Sequence, residues 1–252
     1  YLMVAVLTRM TRVSSGVAYN LALAHTLAMT VAATYALIFD LLRSGHKGAL
    51  GTRTARGLAL LGGVGIALAS NLEGPLELLR SLGIGSTGFY QWLDVPGLAQ
   101  APVSGGPLPQ GNWWWWRASR VIQDPNVFGK IPTVITEFPA FSFILGDLHP
   151  HVMALPFRLL ALGLAWELYR GARSGAPVGR VRWLGMAFAF GALGFLNIWD
   201  LPMCLLVALL ALALGWWRQA APRRAWWRGL GPGALCLVQM ASPTSLPFEP
   251  DC

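Results

Sequence analysis

Gly16–Leu42 reads GVAYNLALAHTLAMTVAATYALIFDLL. At about 1.5 Å of rise per residue, a helix over this run crosses a bilayer with some tilt. His25 lies well inside it, and is expected to be a core histidine hydrogen-bonded to a neighbouring helix. Outward from this run, the composition agrees. The 252 residues are 55% hydrophobic and only 12% charged. Soluble domains carry about 25% charged residues, so the chain reads as a membrane protein before any motif is weighed.

Further apolar runs follow, giving spans at about 16–42, 56–72, 150–170, 183–199, 201–217 and 229–240. The expected fold is therefore all-α: a polytopic transmembrane helical bundle, a single transmembrane domain over 1–241, with an irregular tail at 242–252. The run LALLGGVGIALASNL (58–72) is rich in glycine, which suits close helix packing in lipid. The net charge of +8 does not indicate a nucleic-acid partner. The basic residues sit in short clusters between apolar runs, where topology accounts for them. Cys204, Cys236 and Cys252 have no CxxC spacing, so neither a zinc site nor a disulfide framework is indicated.

Three short loops carry Lys/Arg and no acid: 43–56 (Arg43, Lys47, Arg53, Arg56), 170–182 (Arg170, Arg173, Arg180, Arg182) and 218–228 (Arg218, Arg223, Arg224, Arg228). The positive-inside rule puts all three in the cytoplasm of a multi-pass cell-membrane protein. Alternating crossings then place the long loop at about 73–140 outside, with the NIWD turn (197–200). That loop is rich in Gly, Pro and Trp, and is too long to be an idle connector. Its segment NWWWWRASRVI (112–122) is expected to be a short interfacial helix. Its tryptophans would anchor it at the membrane surface, or form an aromatic platform beside a binding site.

Thr136–Phe157, TEFPAFSFILGDLHPHVMALPF, carries the chemistry. It sets Glu137, Asp147, His149 and His151 among apolar residues, where ionisable groups are costly by ~2.5–3.5 kcal/mol each. The charge map moves them to the external boundary, together with Asn71, Glu73, Asn197, Trp199 and Asp200. Pro150 suits the first position of a helix with His149 as its N-cap. Phe141–Leu148 would then be a re-entrant or helix-end segment. In an extended segment Asp147, His149 and His151 point the same way. They suit acid/base work, a divalent metal site built from those three residues, or plain helix capping with pairing to Arg117 or Arg120. Asp200, before Leu201 and Pro202, suits an N-cap. Arg158, two turns into an apolar helix, would snorkel or pair with an acid.

The strings ITEFPAFSFILGDLHPHVMALPF, WWWWRASRVI and LGFLNIWDLP, with VAYNLALAHTLAMT (17–30) and the Asn71 stretch NLEG, resemble the multipass membrane family called the YYY domain, DUF2298. The resemblance covers most of 1–217, and Ser242–Cys252 matches nothing in it. That family in turn resembles the GT-C integral-membrane glycosyltransferases. The resemblance implies transfer of a sugar from a polyprenyl-phosphate donor at the extracytoplasmic face. Glu137, Asp147, His149 and His151 would then be catalytic. Arg120, Asn71, Trp116, Asn197, Trp199 and Asp200 would bind substrate, with Arg120 on the donor phosphate. The expected partners are membrane lipid and a polyprenyl-phosphate-linked sugar.

The family's tyrosine-rich motif and its acidic loop would precede Tyr1, so the chain reads as a fragment, inactive by itself if that loop holds the catalytic acid. Two other readings stand beside transfer. One is a transporter or flippase of a lipid-linked substrate using the acids and histidines as a proton relay. The other is a non-catalytic membrane assembly protein.

Overall fold

A computed structural model describes residues 2–45, 50–68, 71–106, 109, 114–122, 125–131, 134–175 and 180–218. Among these the chain is all-helical. The helices are α1 (Leu2–Thr11), α2 (Ser15–Gly45), α3 (Thr52–Leu68), α4 (Glu73–Ser81), α5 (Thr87–Trp92), α6 (Trp114–Ala118), α7 (Pro139–Leu145), α8 (Pro150–Met153), α9 (Leu155–Ser174), α10 (Arg180–Leu196) and α11 (Asp200–Trp217). Two are long and apolar enough to cross a membrane: Ser15–Ser44 within α2, and α11. The stretches 56–72, 150–170 and 183–199 overlap α3, α8 with α9, and α10, which fall outside that pair. The span at 229–240, the tail at 242–252, and Lys47, Arg223, Arg224 and Arg228 lie outside the described residues.

The chain forms two compact units. One takes Tyr1–Leu60 and His149–Cys252; the other takes Leu61–Leu148. In the first, α9 packs along α11 and also meets α2 and α10. The inward stripe of α9 is Ala161, Ala165, Leu168 and Ala172, and that of α11 is Cys204, Ala208 and Leu212, with Met186, Phe190 and Leu193 supplied by α10. These spacings of three and four keep each set on one helix face. The small residues let backbones approach closely. Gly215 marks the tightest point, where an added Cβ would lie 2.6 Å from the Tyr169 carbonyl oxygen and 2.8 Å from Ala172 Cβ.

On α2 the inward face is not the one expected. His25 is exposed, while Thr26, Thr30 and Thr34 are buried. Each threonine hydroxyl donates to the carbonyl four residues back, at 2.7–2.8 Å. A threonine satisfied this way needs no partner from a neighbouring helix, so it can occupy the packed face, and His25 is turned off it.

The second unit holds α4 to α7 and the loops between them. α4 is a helix where an irregular loop was expected. Its residues Glu73, Glu77 and Ser81 are buried along one face. Arg80 donates to the carbonyls of Ala99 and Ala101 and lies over the Tyr90 ring. The Ser81 hydroxyl meets Ser104 and Gly106. The loop after α5 is thereby pinned to the end of α4.

Candidate functional site

The segment 136–157 is divided by its glycine and prolines. Pro139 opens α7 near its N-terminus, and Gly146 closes it with φ 69°, a left-handed cap. The Gly146 amide donates to Phe143 and the Asp147 amide to Ser142, a Schellman arrangement that satisfies the last carbonyls of α7. Glu137, exposed, and Asp147, half-buried, flank this short helix. His149 then caps α8 in an extended conformation, with Pro150 at the start of the helix. This is the arrangement expected from Pro150. The following helix is not continuous, since Ala154 ends α8 and Pro156 sits in the first turn of α9. Proline has no N–H to carry the ladder through that point.

The extended run that would align Asp147, His149 and His151 is therefore broken at Pro150. The His149 and His151 rings lie 5.6 Å apart, tilted by 42°. Among the described residues, no three His, Cys, Asp or Glu side chains converge closely enough to hold a metal ion.

In the first unit, a polar cluster gathers around Arg158. Its Nε lies 3.2 Å from Asp200 Oδ2. Its Nη2 donates to the His151 carbonyl at 2.5 Å. The Asn197 amide donates to the same Asp200 oxygen at 3.0 Å. Of the expected site residues, Asp200 and the His151 carbonyl thus meet the guanidinium, and Asn197 joins the cluster through Asp200. Asp200 is not the side-chain N-cap that its position suggested. α11 has Trp199 at its cap with no side-chain capping bond, and Asp200 begins the helix with its carboxylate turned to Arg158 and Asn197. Trp199 is 79% exposed and takes no part in the cluster.

In the second unit, the short helix expected within 112–122 is α6, with Asn112 and Trp113 outside the described residues. Trp115 and Trp116 pack on Phe141 of α7. The Arg120 guanidinium lies 3.4 Å from the Trp116 ring centre and donates to the Ser119 hydroxyl. The face of Trp116 is thus covered by Arg120. Asn71 brackets two elements. Its amide donates to the Ala118 carbonyl at 2.7 Å, and its side-chain oxygen accepts from the Glu73 amide at 2.9 Å.

Between α4 and α6 lies a group that the residue patterns did not single out. Arg117 places Nη2 and Nε 2.6 and 2.8 Å from one oxygen of Glu77. Glu73 is one turn earlier on the same helix, and both glutamates are almost wholly buried. No N–H or hydroxyl donor among the described residues reaches the Glu73 oxygens. Burial first, then the Glu77 charge and a proton shared with Glu77, push the Glu73 carboxyl up to about 8, with Arg117 opposing. A signal was present in the sequence. Two acids at i and i+4 repel on a solvated helix, so E-G-P-L-E followed by a Trp-Arg segment calls for a buried cation.

The chain matches the family model for uncharacterized membrane proteins, DUF2298, over residues 1–248. It belongs to this family. The DUF2298 match continues well beyond 217, through the run at 229–240 and to residue 248 of the tail, where no resemblance was expected. Neither a curated protein nor a solved structure matches the chain. The site in this DUF2298 member must therefore be argued from its own residues.

Proposed function

We propose that this protein is a polytopic membrane glycosyltransferase of GT-C type, moving a sugar from a polyprenyl-phosphate donor to an acceptor at the extracytoplasmic face. The cluster around Arg158 carries the reading. A planar guanidinium is the side chain best suited to a phosphate oxygen. Here it sits in the first turn of an apolar helix, held by Asp200 and the His151 carbonyl, with Asn197 steadying Asp200. A donor phosphate that exchanges onto Arg158 would have its developing charge stabilised as the sugar departs. Asp147 or Glu137 would take the acceptor's proton. Arg158 thereby takes the phosphate role first given to Arg120. The membrane placement follows from the four-charge basic loops, which put 43–56, 170–182 and 218–228 inside and 73–140 outside.

The experiment is transfer of radiolabel from polyprenyl-phosphate sugars by the protein in proteoliposomes. Wild type should outpace Arg158→Met, Asp147→Asn and Glu137→Gln, with the strongest variant losing on the order of 10²-fold. Equal transfer by all four sinks the roles given to these residues, and no transfer by wild type above protein-free liposomes sinks the transferase. Translocation of the intact lipid-linked sugar without transfer would favour the flippase in its place.

A further inference from the structure

Glu73 lies outside the proposed transfer chemistry and is too deeply buried to touch a substrate, at 2% exposure. The charges facing it among the described residues are Glu77 from its own helix and Arg117 from α6. The guanidinium is committed, with both its short contacts on a single Glu77 oxygen. If both carboxyls ionise, two buried negative charges share one positive charge, and an uncompensated buried carboxylate is strongly unfavourable. We propose that the α4–α6 contact is a proton-operated latch, closed while Glu73 carries a proton shared with Glu77 and released when that proton leaves.

The geometry gives the latch a mechanical output. Asn71, two residues before Glu73, ties the start of α4 to the Ala118 carbonyl at the end of α6. α6 also carries Trp115 and Trp116, which pack on Phe141 of α7. Loss of the Glu73 proton therefore acts on Trp115 and Trp116 through the helix that bears them. The chemistry is a simple proton release: the carboxyl O–H ionises, the proton leaves to water, and the charge remains on Glu73.

The sign follows from the raised pKa. When the contact opens, Glu73 regains its ordinary value near 4.5, and when closed it sits near 8. The closed state thus holds a proton that the open state does not between those values. Its stability is fully present below 4.5 and is lost as pH rises towards 8, changing opening by about tenfold per pH unit. The latch does not depend on the transferase reading, and its readout is independent of any activity.

The test is amide hydrogen exchange of the whole protein in nanodiscs between about pH 5 and 9.5, with rates corrected for intrinsic exchange. In wild type, protection of 73–81 and 114–118 should fall about tenfold per pH unit up to about 8 and then level. Glu73→Gln should stay protected throughout. Glu77→Gln frees Arg117 to pair with Glu73, and should move the levelling point towards acid. A wild type with flat protection overturns the latch, as does Glu73→Gln that keeps the slope. If Glu73→Gln does not fold, an unmoved levelling point in Glu77→Gln overturns it alone.

Discussion

At the residue scale, the cluster around Arg158 and the contact at Gly215 test different physics. Arg158 is about one-third exposed and Asp200 mostly buried, so their pairing sits between a surface bridge and a buried one. Asp200→Ala leaves a half-desolvated guanidinium and removes the acceptor of the Asn197 amide. It should destabilise by roughly 1–3 kcal/mol. Arg158→Met combined with Asp200→Ala should recover part of that loss, and denaturation of the four proteins of the cycle in detergent measures the coupling. Gly215 tests packing alone. An Ala there meets backbone at Tyr169, which cannot swing aside. Gly215→Ala should lower stability by about 1–3 kcal/mol, read as a fall in thermal midpoint. No fall would show that α9 and α11 can separate freely. Arg158 pairing with an acid was legible as one of two options, because an arginine inside an apolar helix must do something with its charge. Its partner was not, since Asp200 is far along the chain and a carboxylate before Leu-Pro looks like a cap.

At the element scale, α7 to α9 shows what local chemistry decides. Pro139, Pro150 and Pro156 each begin a helical piece, and the start at Pro150 was readable as such. The break at Ala154 was not, because the apolar run continues through it and hydropathy does not distinguish one helix from two. α4 was missed for the opposite reason. Gly74 and Pro75 in its first turn look like loop residues, yet both are tolerated there, where the missing N–H is unbonded anyway. Gly146 is the point where this region can be probed without touching a charged group. Its φ of 69° is open to glycine and strained for alanine. Gly146→Ala should destabilise by about 1 kcal/mol, and Gly146→Asn by less, since asparagine tolerates the left-handed region. Thermal unfolding of both variants checks the order. If alanine proves equal to glycine, α7 does not end in this cap.

At the scale of the whole molecule, the membrane assignment rests on hydropathy and charge, and these are the features a sequence carries most openly. A span must be apolar over its length whatever it packs against, so α2 and α11 were readable from residue order alone. Tertiary choices were not. Whether His25 or Thr26 faces inward depends on which neighbour arrives, and the neighbours of α2 are far along the chain. The sidedness of the loops is a separate claim with its own consequence. If 170–182 is cytoplasmic and 73–140 outside, a cysteine at Gln100 and one at Ser174 lie across the bilayer from each other. Both positions are exposed, so labelling there reports side rather than burial. In a background with Cys204, Cys236 and Cys252 replaced, a membrane-impermeant maleimide should label Gln100→Cys in intact cells. Ser174→Cys should label only after permeabilisation. Equal labelling of both would place 73–140 and 170–182 on one side. The polar groups at 137–151 would then share a face with the basic loops. The cluster around Arg158 would lose its external setting, and the donor phosphate would have to be presented from the cytoplasm.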